Sequence, residues 1–372
     1  MVADRSDPAF ASGSVVAADG SLSFVYKAAA EIGELGDNSA ALRMAIASDD
    51  LLRQALVADT AEAVVLCHTR WASVGIISQA NAHPVNSEEL EVVGPFTTAA
   101  LNGDIDNFAD LKAQAGLQYA SEITTDAKVI PTLVSREVAA GADGVEAFRR
   151  TVASFDGSVA IGASIASDPS TLLLALRGSG QALYVGIADD LFLVASEPYG
   201  VVEECDRYLR MDGETPADPE DPTGSRGQVV VVDARRAGRL DGLRRLSYSG
   251  QELPIDESEL VQAEVTTRDI DRGDSPHFLL KEITESPDSL AKTLRGKIVE
   301  TDGRLRAFVG GRALPADVAA RLAAGTITRV RVIGQGTAAV AGQSMAAILD
   351  ELSAGQLDID ATLISTSRPS DV

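Results

Sequence analysis

Residues 158–196 read SVAIGASIASDPSTLLLALRGSGQALYVGIADDLFLVAS. Four apolar runs, at 158–165, 171–177, 181–187 and 191–195, are separated only by the turn residues Asp168-Pro169, Gly178-Ser179-Gly180 and Asp189-Asp190. Connections this short cannot hold the helix that a parallel crossover needs, so the stretch predicts an antiparallel meander. Outward from it, residues 14–28 read as a hairpin around Asp19-Gly20. Residues 39–56, 125–140 and 143–154 read as helices, and residues 63–68 (AVVLCH) as a short buried strand. Residues 90–101 give strand material broken by Gly94-Pro95. Downstream, residues 203–221 predict an exposed acidic loop and residues 228–233 (QVVVVD) one more strand, whereas 235–275 is polar and irregular. A helix is expected over 277–296. A buried strand at 328–333 then leads through Gly334-Gln335-Gly336-Thr337 into a helix at 338–353, the opening of an α/β unit, and a last strand is expected at 361–366.

The chain has 372 residues, and a prior of about 150 per domain makes two to three domains the expectation. Its formal net charge is −23, which disfavours nucleic acid and anionic membrane surfaces as partners. Two cysteines, Cys67 and Cys205, make no disulfide framework, so a reducing cytoplasm is the simplest compartment. The opening MVADRSDPAFASGS lacks a basic and apolar leader, and no uncharged apolar run is long enough to span a bilayer. The three histidines, His68, His83 and His277, are too scattered in sequence to suggest a metal site, and no cofactor is expected.

Three segments carry the residue types of a binding site. In 68–84, HTRWASVGIISQANAHP, Arg70 follows the expected buried strand, where its guanidinium can clamp a carboxylate, with Trp71 beside it. In 101–107, LNGDIDN, Asn102 offers a side-chain amide and Gly103 a backbone N–H, two donors of the kind an oxyanion needs. In 121–130, SEITTDAKVI, Asp126 stands at a helix start, where capping is the simpler role.

Together and in this order, HTRWAS, NAHP, NGDIDN and SEITTD resemble the class II glutamine amidotransferases. HFLLKEITESP at 277–287 narrows the resemblance to the glucosamine-6-phosphate synthase type, the isomerizing glutamine:fructose-6-phosphate aminotransferases. VIGQGTAAVAG at 332–342 looks like the start of their sugar isomerase (SIS) domain. The resemblance implies an α+β fold, a four-layer αββα sandwich of the Ntn-hydrolase kind, followed by a partial α/β SIS unit. It implies a glutaminase domain over 1–235, a linker over 236–326 and a partial SIS domain over 327–372. By the same resemblance Arg70 holds the α-carboxylate of glutamine and Asp126 its α-amino group, and Asn102 with Gly103 forms the oxyanion hole. Trp71 lies at the mouth of an ammonia path, Ser73 and His83 lie by the pocket, and Thr337 lies by a sugar phosphate. The implied partners are glutamine, fructose 6-phosphate and a second copy of the parent chain, paired through the SIS domains, which predicts exposed apolar surface on 327–372.

The departures bear on activity. The family's nucleophile is an N-terminal cysteine, whereas this chain begins Met1-Val2-Ala3, and the resemblance reads that as a start that comes too late. Cys67, in an apolar run, is expected to be buried with a raised pKa. Ser73 stands for a family Thr, Val74 for a His and Ala338 for a Ser. Two further readings stand beside the enzyme: a non-catalytic module that senses glutamine or a sugar phosphate, and a dinucleotide fold opening at Gly334, against which Ala339 occupies the third glycine position of G-x-G-x-x-G.

Overall fold

The computed structural model describes residues 10–18, 20–29, 36–57, 61–70, 74–178, 180–217, 225–262, 273–294, 297–301, 303–307, 314–334 and 337–363. The chain divides into two compact units, Met1–Thr267 and Arg268–Val372.

The first unit is built on strict apolar alternation. Strands β1 (Val15–Ala18) and β2 (Ser21–Phe24) form the expected hairpin. Helices α1 (Asp37–Ala47) and α2 (Asp50–Leu56) divide the predicted 39–56 helix at Asp49, whose carboxylate caps α2 by accepting from Leu51 N at 3.0 Å and Leu52 N at 3.1 Å. A seven-stranded antiparallel sheet follows. Its members are β3 (Val85–Asn86), β4 (Thr97–Ile105), β5 (Gly157–Ile165), β6 (Thr171–Arg177), β10 (Gln228–Asp233), β11 (Leu243–Ser247) and β12 (Glu252–Leu253), in the spatial order β12-β11-β10-β6-β5-β4-β3. Helices α4 (Val129–Ala139) and α5 (Gly144–Ala153) bring Val129, Ile130, Val134, Phe148 and Val152 onto one face, against Val159, Ile161, Leu173, Ala175, Val229 and Val231, and α3 (Phe108–Ala115) packs its half-buried Phe108 and Leu111 against the same cluster. The alternate residues Ala160, Leu174, Leu176, Val230 and Val232 face the other way and meet a second sheet. That sheet comprises β7 (Tyr184–Ile187), β8 (Phe192–Ala195), β9 (Arg207–Arg210) and β13 (Val261–Gln262), in the order β13-β9-β7-β8. The class is α+β, as the resemblance implies, and among the described residues one helical layer and two sheets pack in sequence. Neither α1 nor α2 contributes a buried residue.

Several expectations shift. The predicted meander is shared between two sheets: β5 pairs with β6 and β7 with β8, but the chain changes layer at 178–183. Strands whose residues are apolar on both sides need cover on both sides, and placing the second pair over the first supplies it. Residues 63–68 form no strand, and Val65 is 75% exposed. Leu66 nonetheless lies against the sheet, since a methyl built on Gly162 would meet its Cδ1 at 3.1 Å. The acidic loop contains a strand, β9, because Leu209 and Met211 alternate into the inter-sheet core among charged neighbours. The first sheet also runs past 235, since β11 adds to β10 in register from Gln228–Ser247 to Val232–Leu243.

The second unit holds a helix Phe278–Leu294, a hairpin Ile298–Thr301 with Arg304–Ala307, and a helix Ala316–Ala323. It ends in a strand Arg329–Gly334, a helix Thr337–Ser353 and a strand Asp358–Leu363 parallel to the first. This is the expected strand, turn, helix and last strand, a βαβ unit whose closing strand begins at Asp358, three residues before the expected 361. The strand at 329–334 is not buried as predicted: its side chains alternate between exposed and half-buried. Gly342 allows the helix close to it, a methyl there falling 3.1 Å from Val332 Cγ1. Among the described residues no helix is long and apolar enough to cross a membrane.

Candidate functional site

The site forms where β4 loses its neighbour. β3 pairs with Thr98 and Ala99, and among the described residues no strand lies along the Leu101 to Ile105 stretch of that edge. Buried main-chain groups need partners, and two side chains supply them. His83 Nδ1 lies 3.1 Å from Leu101 O and 3.3 Å from Leu101 N. Asp126 Oδ2 accepts from Ile105 N at 3.0 Å. Gly103 lies midway, and by strand parity its N–H faces the same edge. Its φ of +117° suits glycine alone, and a methyl there would lie 2.0 Å from Ser158 O. Asn102, exposed, shares a face with its cross-strand partner Ala160.

Asp126 begins a short 3-10 turn (Asp126–Lys128) that leads into α4, and it is 3% exposed. Burial raises its pKa, opposed by the Ile105 N–H and reinforced by the nearby Asp104 carboxylate. Its Oδ1 accepts from Thr125 Oγ1 at 3.3 Å, and Thr125 Oγ1 lies 3.4 Å from His83 Nε2. Burial, with the charges of His68 and Arg70, holds His83 down at about 3, so the ring is neutral at physiological pH. The rings of His68 and His83 lie 4.8 Å apart with 32° between planes, and His68 is lowered first by burial and then by Arg70.

Arg70 follows an irregular segment rather than a strand. Its guanidinium donates to Val74 O and, at 3.4 Å, to Ile76 O, so its own loop holds it. Burial lowers its pKa while the charge of Asp126 opposes the shift, which places cation and carboxylate within electrostatic reach. With five N–H donors on a guanidinium, donors remain for a ligand.

Arg70, His83, Asn102, Gly103 and Asp126 thus belong to one neighbourhood around the open β4 edge. Trp71 and Ser73 lie outside the described residues. Thr337 starts a helix of the second unit, and the preceding Gln335 and Gly336 also lie outside the described residues. Cys67 is exposed, contrary to the expected burial, because the run around it is not a strand.

Two residues escaped sequence reading. Asn81, fully buried, holds the segment that carries Asp126; the turn sequence Asn-Ala-His-Pro was its one signal. Lys128, also fully buried, donates from Nζ to Asn86 O at 2.5 Å and Glu88 O at 2.7 Å. Burial lowers it to about 8, against the pull of Glu88 and Glu89, and nothing in SEITTDAKVI distinguishes it from a surface lysine.

Comparison with known proteins bears on this arrangement. The chain is 31% identical over 294 residues to the isomerizing glutamine–fructose-6-phosphate aminotransferase of Bacillus spizizenii, covering 78% of this chain and 42% of that one. It is 32% identical over 277 residues to that of Oceanobacillus iheyensis, covering 74% and 39%. With that of Bacillus anthracis the figures are 31% over 241 residues, covering 63% and 34%. The chain therefore spans well under half the length of these relatives. No protein-family model matches it. Among solved structures, the B. subtilis glutamine phosphoribosylpyrophosphate amidotransferase with ADP and GMP aligns at TM-score 0.36 and 19% identity, over 50% of this chain and 35% of that one. Over the matched region the chain is similar to the isomerizing glutamine–fructose-6-phosphate aminotransferases, the type that the order of its motifs resembles.

Proposed function

We propose that the Met1–Thr267 unit holds glutamine in a glutaminase-type site, as part of a protein that transfers the amide nitrogen to fructose 6-phosphate. The observation that supports the reading is a half-buried Arg70, held on the carbonyls of its own loop, whose guanidinium feels the charge of a buried Asp126 bonded to the β4 edge at Ile105. A free α-amino acid presents a carboxylate and an ammonium on one carbon. A guanidinium and a carboxylate within reach of each other, neither neutralised by a direct salt bridge between them, match that dipole.

The β4 edge supplies the chemistry. Attack on the side-chain amide creates a negative oxygen, and the Gly103 N–H with the Asn102 amide are the two donors proposed to receive it. In the class II resemblance the nucleophile is an N-terminal cysteine, and glutamine plus water yields glutamate and ammonia. The ammonia then replaces the carbonyl oxygen of fructose 6-phosphate, which leaves as water, and the resulting imine isomerises to glucosamine 6-phosphate. His83, neutral and held on Leu101, shapes the pocket wall rather than relaying a proton. Trp71 and Ser73 would line the same pocket, and Thr337, at a helix N-terminus, would face the sugar phosphate in the second unit. Pairing of two copies through that unit fits its exposed apolar residues Val340, Met345, Ile348 and Leu352.

Calorimetry with L-glutamine tests the reading. Saturable binding with a Kd below about 1 mM is expected. Arg70→Ala should weaken it roughly ten- to a hundredfold through loss of charge-assisted hydrogen bonds. Absence of binding by the wild-type chain would contradict the proposal.

A further inference from the structure

Resting on the glutamine reading above, we infer that Asn81 is the positioning residue that sets the spacing between Arg70 and Asp126. Its side chain is 0% exposed and uses every hydrogen-bonding group it has. Oδ1 accepts from two successive amides, Thr124 N at 2.7 Å and Thr125 N at 3.0 Å. Nδ2 donates to Glu122 O at 3.2 Å, Thr124 Oγ1 at 3.1 Å and Ser78 Oγ at 3.1 Å.

The segment fixed in this way leads in two directions. Thr125 donates its hydroxyl to Asp126 Oδ1, so the amides held by Asn81 determine where the carboxylate sits below Ile105 N. Thr124 packs against the loop that holds Arg70: a methyl built on Gly75 would lie 2.8 Å from Thr124 Oγ1, and the flanking carbonyls of Val74 and Ile76 receive the Arg70 guanidinium. One buried amide therefore braces the anchors proposed for both charged ends of an α-amino acid. Neither Arg70 nor Asp126 touches Asn81 directly, so its effect passes through Thr124 and Thr125. A buried asparagine with this many partners also stabilises the fold. Its positioning role must therefore be read at Asp126 rather than from stability.

The test combines amide hydrogen exchange of the whole chain with titration by L-glutamine, for wild type, Asn81→Ala and Asn81→Asp. In Asn81→Ala the Ile105 amide, whose acceptor is Asp126, should exchange about tenfold faster and the glutamine Kd rise about tenfold, each the loss expected for a weakened bond to a charged group. The Val229 and Val231 amides, deep in the same sheet, should keep their protection and so report that the fold persists. Asn81→Asp keeps the acceptor for both threonine amides and should restore most of the Ile105 protection. Unchanged Ile105 exchange in Asn81→Ala overturns the inference, even if glutamine binding falls. So does equal loss of protection at Ile105, Val229 and Val231, which would mark a purely structural role. Faster Ile105 exchange in a protein that never binds glutamine upholds the positioning and counts against the glutamine reading instead.

Discussion

Two valine-rich strands, QVVVVD at Gln228–Asp233 and RVRVIG at Arg329–Gly334, have opposite fates. In the first, residues 228–232 are all buried; in the second, none of the six is. The first lies between two other strands, with helices over one face and a second sheet over the other. Among the described residues the second has one parallel neighbour and a single helix against it, and that helix leaves Val340, Met345, Ile348 and Leu352 exposed. Apolar sequence licenses a strand, but burial depends on how many layers the chain supplies. Of the two proposed glutamine anchors, Asp126 belongs to the well-covered region, bonded to the sheet edge at Ile105 N, whereas Arg70 is held by carbonyls of its own loop.

The sharpest way to break this contrast is to open a cavity in each region. Phe148, fully buried on α5, should cost about 3–5 kcal/mol on Phe148→Ala, read from the denaturant transition of the first unit. Val332→Ala, in the half-buried strand, should cost under about 1 kcal/mol. Similar losses at both positions would erase the distinction.

A smaller effect should appear as pH dependence confined to the first unit. His83 titrates at 6.5 when unfolded and at about 3 in the fold, so below pH 6.5 the unfolded chain takes up a proton that the folded one refuses. Stability present above 6.5 is therefore lost as the pH falls towards 3, at up to about 1.4 kcal/mol per pH unit. His83→Gln should flatten that acid limb. An unchanged slope would mean that His83 is solvated and that the β4 edge is open to water.

Much of the fold was legible in the sequence, where chemistry and periodicity coincide. Residues 158–177 announce two strands because turn residues interrupt apolar runs, and the motifs singled out Asn102 and Gly103, which lie on β4, and Asp126, which bonds to it. The errors share a physical cause. AVVLCH has the composition of a strand but no partner strand among the described residues, and composition does not record pairing. Leu209 and Met211 make a buried strand out of an acidic segment, because two side chains at period two outweigh the charge around them. The polar stretch after 235 conceals β11 for a similar reason: Leu243 and Leu246 reach opposite faces of the sheet while the intervening arginines stay outside the core. Lys128 and Asn81 were invisible as site residues because burial of a polar side chain is decided by distant carbonyls and amides.

Asp126 is a buried carboxylate whose ionisation costs the fold, and in the proposed function that charge is kept for the α-amino group of glutamine. With its pKa raised by burial, ionisation at neutral pH works against the native state, and a neutral isostere removes that penalty while still accepting from Ile105 N. The direct measurement is thermal melting of Asp126→Asn at pH 7 alongside its titration with L-glutamine. A variant that melts higher than wild type and no longer binds glutamine is the predicted result. One that melts lower and binds glutamine as tightly as before would contradict it.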